Sequence, residues 1–193
     1  MKSKHSILLI CLFVCFIFFR FYKLLSLASF NWDQLDYAWA AVRIISVHKF
    51  PLLGPQAKGS GMYIGPLYYY FAALFYYITG LNPIASPIIA ACTSIINFGV
   101  LYYVSKNLFN KRTALLSCFI YTFSDFLIQS ERVQWQVSFI APVSLLIFYF
   151  LYKVITGESR YLIPLAICTG LAFHTHFTAI FFPIQIFSCI LMI

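Results

Sequence analysis

From Ile84 to Ser105 the chain runs without a single charged side chain, and five further predominantly apolar segments lie at 6–26, 66–79, 113–129, 138–155 and 161–193. About 20 apolar residues span the hydrocarbon core of a bilayer as a helix, where every backbone polar group must be satisfied within the segment. With 62% hydrophobic and 9% charged residues in 193, a soluble domain would lack the polar surface to cover itself. The expected fold is therefore all-α, a polytopic membrane helical bundle. The last segment is too long for one crossing and is interrupted at His174, His176 and Pro183, so it reads as two spans, 161–176 and 177–193. Because the sequence stops inside that run, it reads as part of a longer protein.

The net charge of +8 does not point to nucleic acid, because the 13 Lys and Arg are scattered between apolar runs and form no basic stripe. In a membrane protein they report orientation and lipid contacts. All six cysteines lie inside apolar runs, without metal-type spacing, and read as small packing residues. "MKSKHSILLICLFVCFIFF" has the basic start of a signal peptide. Arg20 and Lys23 directly after the run, and only a weak cleavage site in "SLAS", favour an uncleaved first span.

Segment 66–79 needs separate treatment. Pro66 suits a first helical position and Gly80 the residue beyond the end. The 14 residues between reach only about 21 Å, short of the roughly 30 Å core. Its tyrosines, Tyr68 among them, favour the headgroup level. Charge decides in the same direction. With the N-terminus inside, a crossing at 66–79 would leave three Lys and Arg inside and ten outside; no crossing gives seven and six. The short basic loop "KNLFNKR" carries the most weight in that rule, so 66–79 is read as interfacial. Spans are then expected at about 6–26, 84–105, 113–129, 138–155, 161–176 and 177–193. A large first extracytoplasmic loop, 27–83, carries interfacial (juxtamembrane) helices at about 32–48 and 66–79. Three polar clusters open on that face.

The first is "SFNWDQLDYAWAAVRIIS". Asn31 can cap a helix with Gln34 three residues on, and Asp33 falls in the first turn, where the helix dipole favours its ionised form. Asp36 and Arg43, one heptad apart, look like a supporting pair. The bland reading is that Asp33 and Asp36 only solvate an interfacial helix. The second cluster, "SERVQWQVS", holds Glu131 and Arg132, either a surface pair beside a Trp135 anchor or a phosphate-holding arginine. In the third, "GLAFHTHFTA", His174 and His176 stand near the end of a span, where polar groups tend to be functional. Their i, i+2 spacing is weak metal evidence, and a hydrogen-bonding role competes with a packed histidine. Lys58, between Gly and Ser residues, could reach a headgroup.

The order of these motifs, "WDQLDYAWAAVRI", "FPLLGP", "GPLYYYFAALFY", "KNLFNKRTALLSCFIYTFSDFLIQSERVQW" and "GLAFHTHFTA", resembles the N-terminal module of GT-C membrane glycosyltransferases. It is most similar to the protein-O-mannosyltransferase-like group, glycosyltransferase family 39, which includes the aminoarabinose lipid A transferase type. The resemblance implies transfer of a sugar from a polyprenyl- or dolichyl-phosphate donor to a protein, lipid or cell-surface glycan on the extracytoplasmic side. It implies Asp33 as the catalytic or metal-associated carboxylate. Relatives often have Asp-Glu where this chain has Asp33-Gln34, and an Asp after the arginine that Arg132 matches, where this chain has "VQWQV". Metal dependence, through a divalent cation, is thus an open expectation.

Chemically, a lipid phosphate is already a good leaving group. The site needs a base, Asp33, and cations at the phosphate, drawn from Arg132, Lys58, Arg20 and His176, with Glu131, His174 and Tyr68 lining the site. Competing readings are a transporter or flippase module and a non-catalytic fragment. A transporter would set its polar groups near the midplane, whereas here they cluster at one face. The "FPLLGP" and "GPLYYY" style suggests a prokaryotic plasma membrane.

Overall fold

A computed structural model describes residues 2–57 and 60–191. Its α-helices are α1 (Lys2–Phe21), α2 (Leu24–Leu27), α3 (Trp32–Val47), α4 (Leu67–Ile78), α5 (Ala85–Leu108), α6 (Lys111–Phe123), α7 (Asp125–Ser130), α8 (Ile140–Ile155), α9 (Leu162–Ala172) and α10 (Phe181–Leu191). Short 3-10 turns at 136–139, 159–161 and 177–180 lead into α8, α9 and α10. Among the described residues there is no strand, only an isolated antiparallel bridge between Gln56 and Tyr63. The fold is all-α, as expected.

Helix starts follow local chemistry. The Asn31 N–H donates to Gln34 Oε1 at 2.8 Å, the reciprocal half of a capping box, and α3 begins at the next residue. Asn110 Oδ1 accepts the N–H groups of Arg112 and Thr113 at 2.9 and 3.0 Å and starts α6. Two apolar segments are more broken than their composition suggests. The first helix stops at Phe21, and Lys23 turns left-handed with φ 48° before the short α2. The run 113–129 divides at Ser124, whose extended backbone separates α6 from α7.

Three helical stretches are long and apolar enough to cross a membrane: Lys4–Phe21, Ala85–Leu108 and Gln136–Ile155. The protein is integral to the membrane. Leu8, Ile10 and Val14 of α1 are exposed, as suits contact with lipid, while α5 buries Thr93, Ser94 and Asn97. The hydroxyls of Thr93 and Ser94 are satisfied by carbonyls of the preceding turn, at Ile89 (2.8 Å) and Ala91 (2.7 Å). Such small polar residues let helices approach closely in lipid.

The bundle has two chemically distinct ends. At one, His5 meets the Tyr102 hydroxyl at 3.0 Å, Lys106 lies over the Tyr102 ring, and Glu158 pairs with Lys153 (2.7 Å) and Arg160 (2.6 Å). At the other gather α3, α4, residues 54–57 and 60–65, the 131–139 stretch and the His174 turn.

Helix α4 lies across that second end. At its start, the Gly65 N–H donates to Phe173 O at 3.2 Å and the Leu67 N–H to His174 Nδ1 at 3.4 Å. At its far end Gly80 and Leu81, both with φ 63°, turn the chain into α5, where the Ala85 N–H meets Asn82 O. Phe139, at the entry to α8, packs edge-on against Tyr68 and Phe71 and touches the cluster that includes Ala85 and Ile89. Both ends of α4 are thus tied to one end of the bundle, and its 12 residues span only about 18 Å. Ala40, Ala41, Ala72 and Ala73 bring α3 and α4 together, with Tyr37 and Tyr68 edge to face at 4.8 Å.

Candidate functional site

Asp33 occupies the first turn of α3, half-buried, and has no hydrogen bond or ion pair among the described residues. The residues around it are stitched to the loop after α7. Gln34 Nε2 donates to Gln134 O at 2.5 Å, and the Tyr37 hydroxyl, one turn on from Asp33, donates to Gln136 Oε1. Burial, the neighbouring Tyr68 and the Asp33 charge push the Tyr37 phenol well above its ordinary range. Tyr37 therefore stays a neutral donor, and its ring forms one wall beside the carboxylate.

Arg132 stands two residues before Gln134. One guanidinium nitrogen, Nη2, donates to Phe19 O at 3.1 Å, which ties the loop to the end of α1. Its Nε is buried with no partner. Arg132 thus keeps most of its donors free, on the loop that touches the first turns of α3.

Arg20 and Glu131 are placed differently from the expectation that both line a phosphate site. Arg20 is only 2% exposed. Its Nε and Nη2 donate to Glu131 Oε2 at 3.1 and 2.9 Å, and it also donates to the carbonyls of Thr122 (3.0 Å) and Tyr121 (3.1 Å). Its guanidinium lies over the Phe16 and Tyr121 rings. Glu131 accepts further from Asn97 Nδ2 at 3.0 Å and from the Tyr121 hydroxyl. With four of the five Arg20 donors occupied, this pair locks α1, α5 and α6 together and fixes the loop that carries Arg132.

Asp36 and Arg43 form no ion pair among the described residues, since seven residues of helix set them about 10 Å apart along the axis. Asp36 accepts instead from the Tyr69 hydroxyl at 2.5 Å. Gln34 serves as cap and as tether to Gln134. Lys58 lies outside the described residues.

The two histidines face different tasks. His174 packs on Gly65, where an added Cβ would sit 2.0 Å from Nδ1, so only glycine allows the approach. His176 caps the following turn, its Nδ1 taking the Thr178 N–H at 3.2 Å. Among the described residues no three His, Cys, Asp or Glu side chains gather as a metal site. His174, Tyr68, Phe71, Phe139, Val143 and Leu171 line an almost wholly apolar groove of about 480 Å³. Tyr68 thus belongs both to this groove and to the Tyr37 wall, linking the His174 turn with the neighbourhood of Asp33.

Two members of the neighbourhood escape a reading by composition. Tyr37 carries a signal, its i+4 spacing from Asp33. Gln134 carries none: it is fully buried, and its side-chain amide lies beside the Tyr68 hydroxyl under the α3–α4 junction.

The sequence model of the family described as dolichyl-phosphate-mannose-protein mannosyltransferase matches residues 64–193. The match thus takes in α4, the Arg132 loop and the His174 turn, and begins after Asp33. No curated protein and no solved structure gives a significant match.

Proposed function

We propose, for a chain that belongs to the dolichyl-phosphate-mannose-protein mannosyltransferase family, that it is the N-terminal membrane module of an enzyme that transfers a sugar from a polyprenyl- or dolichyl-phosphate carrier, with Asp33 as the base. The observation that supports the base assignment is the half-buried, unpartnered Asp33 carboxylate in a helix turn that Gln34 ties to Gln134 of the Arg132 loop and that Tyr37 links to Tyr68 of the apolar groove. A carboxylate kept only to solvate a helix has no need of those neighbours.

In this reading the acceptor hydroxyl attacks the anomeric carbon while Asp33 takes its proton. The bond from that carbon to the phosphate oxygen breaks, its electron pair leaves with the lipid phosphate, and the anomeric configuration inverts. No general acid is required, because the phosphate leaves as an anion, and Arg132 donates to its oxygens. The groove beside Tyr68 and His174 receives the first isoprenoid units. The α3–α4 end faces the extracytoplasmic side, an orientation supported by the basic residues at the opposite end, Lys106, Lys111, Arg112, Lys153 and Arg160. The acceptor is a hydroxyl of a protein, lipid or surface glycan.

The test is Asp33→Asn in the full-length protein, assayed with a radiolabelled polyprenyl-phosphate sugar in its native membrane. Transfer should fall by about 10³-fold or more while membrane insertion is unchanged. Retained transfer removes Asp33 as the base.

A further inference from the structure

A second cavity, of about 630 Å³, opens between α3, residues 49–54 and Tyr63, walled by Asp36, Trp39, Arg43, Lys49, Tyr63 and Tyr69. We propose that it binds a phosphate ester that also carries hydroxyls, the chemistry shared by a sugar phosphate and a polyol phospholipid headgroup.

The cavity is basic at one end and acidic at the other. Lys49 is drawn beside Arg43 by its N–H, which donates to Arg43 O at 3.0 Å. Neither side chain has a hydrogen bond or ion pair among the described residues. Cations do suit a helix C-terminus, but that alone does not call for a wall around them. Here the chain folds back: the Gly54 N–H donates to Ile64 O at 2.9 Å, the Tyr70 hydroxyl to Pro51 O at 2.7 Å, and Phe50 stacks on Tyr70.

At the acidic end, Asp36 Oδ2 is held by the Tyr69 hydroxyl, which leaves Oδ1 to accept from a ligand. Burial and this bond push the Tyr69 phenol up, so it remains a donor. Two helical turns, about 10 Å, separate the Asp36 and Arg43 positions, a span of one or two sugar rings. Between them Trp39, 56% exposed, and Tyr63, 47% exposed, offer flat aromatic faces. A bare anion has no use for Asp36, and a neutral sugar none for the two cations; a hydroxylated phosphate ester uses both.

The phosphate-holding end of this site is set apart from the reacting centre, since Arg43 lies ten residues, about 15 Å of helix, beyond Asp33, while Asp36 at the other end lies one turn from it. It does not depend on the role of Asp33.

The experiment reads Trp39 fluorescence in a Trp32→Phe/Trp135→Phe background, with the protein in phosphatidylcholine nanodiscs. Mannose 6-phosphate is titrated against mannose and inorganic phosphate, and a second arm adds phosphatidylinositol to the nanodiscs. A saturable response to mannose 6-phosphate identifies a sugar phosphate; a response to phosphatidylinositol alone identifies a lipid headgroup. Mannose and inorganic phosphate should each bind about tenfold or more weakly. Arg43→Gln/Lys49→Gln should weaken binding by about tenfold or more, and so should the wall variant Tyr63→Ala by a smaller factor, while Asp33→Asn leaves it intact. No saturable response in either arm, inorganic phosphate binding as tightly as the ester, or unchanged affinity in both sets of variants overturns the proposal.

Discussion

Replacing Glu131 with leucine removes the carboxylate that holds Arg20 inside the bundle. Arg20 then loses the bonds at 2.9 and 3.1 Å and keeps only the neutral carbonyls of Thr122 and Tyr121, with its side chain 1% exposed. Breaking a buried pair from one side costs about 3–5 kcal/mol, because the remaining charge is left uncompensated. Arg20→Leu should be comparable, stranding Glu131 with Asn97 and the Tyr121 hydroxyl. The double variant Arg20→Leu/Glu131→Leu removes both charges and should lose only about 1–2 kcal/mol, so the two changes are strongly non-additive. With the other five cysteines changed to serine, Cys118 reports the transition: it is fully buried in the cluster with Leu12, Phe16 and Tyr121 and reacts with a thiol dye only when α1 and α6 part. At roughly 2–4 °C per kcal/mol, each single variant should lower the thermal midpoint by about 6–20 °C and the double variant by much less. Singles within about 2 °C of the parent, or a double variant equal to their sum, would refute the argument that this pair fastens the bundle.

Gly65→Ala drives a methyl into His174 and should lower the thermal midpoint by the equivalent of about 1–3 kcal/mol, whereas Gly99→Ala, with open space around it, should be close to neutral. Burial pushes the Tyr76 phenol up to about 12, and raises Tyr37, Tyr68 and Tyr69 further. A raised folded-state value means their stabilisation is complete below the unfolded phenol value of about 10 and is lost as pH climbs through the folded values. Ultraviolet phenolate titration should therefore show a late class of tyrosines that ionises together with loss of the fold. A single ionisation step near pH 10 with the fold intact would contradict it. For orientation, Met62→Cys should react with an impermeant maleimide from outside and Lys111→Cys only from inside; the reverse pattern inverts the proposed sidedness.

What sequence carries depends on how far apart the interacting residues lie. The start of α3 is legible because Asn31 and Gln34 are three residues apart, and their bond forms within one turn. The break at the two histidines is equally local. Arg20 shows the opposite case. Beside the end of an apolar run it reads as a headgroup-level cation free for a phosphate, because its partner is 111 residues away and its two carbonyl acceptors are more than 100 residues away. The same holds for Asp36, whose heptad spacing suggested Arg43 but whose hydroxyl donor is Tyr69, on another helix. Gln134 gave no local pattern at all, since a polar residue in a polar loop looks solvated until α3 is laid over it. The comparison with the family reaches the loop and the histidine turn but not Asp33, so the base assignment rests on local geometry and on the order of motifs.

The placement of α4 also bears on how the chain is made. A 12-residue helix of seven aliphatic or phenylalanine residues and five tyrosines emerges from the ribosome as a borderline candidate for insertion. Whether the nascent segment threads the bilayer or is released alongside it sets the parity of every helix that follows. Lengthening its greasy stretch, for instance by Gly80→Leu with Asn82→Leu, could therefore misorient more than half the polypeptide without altering one residue downstream.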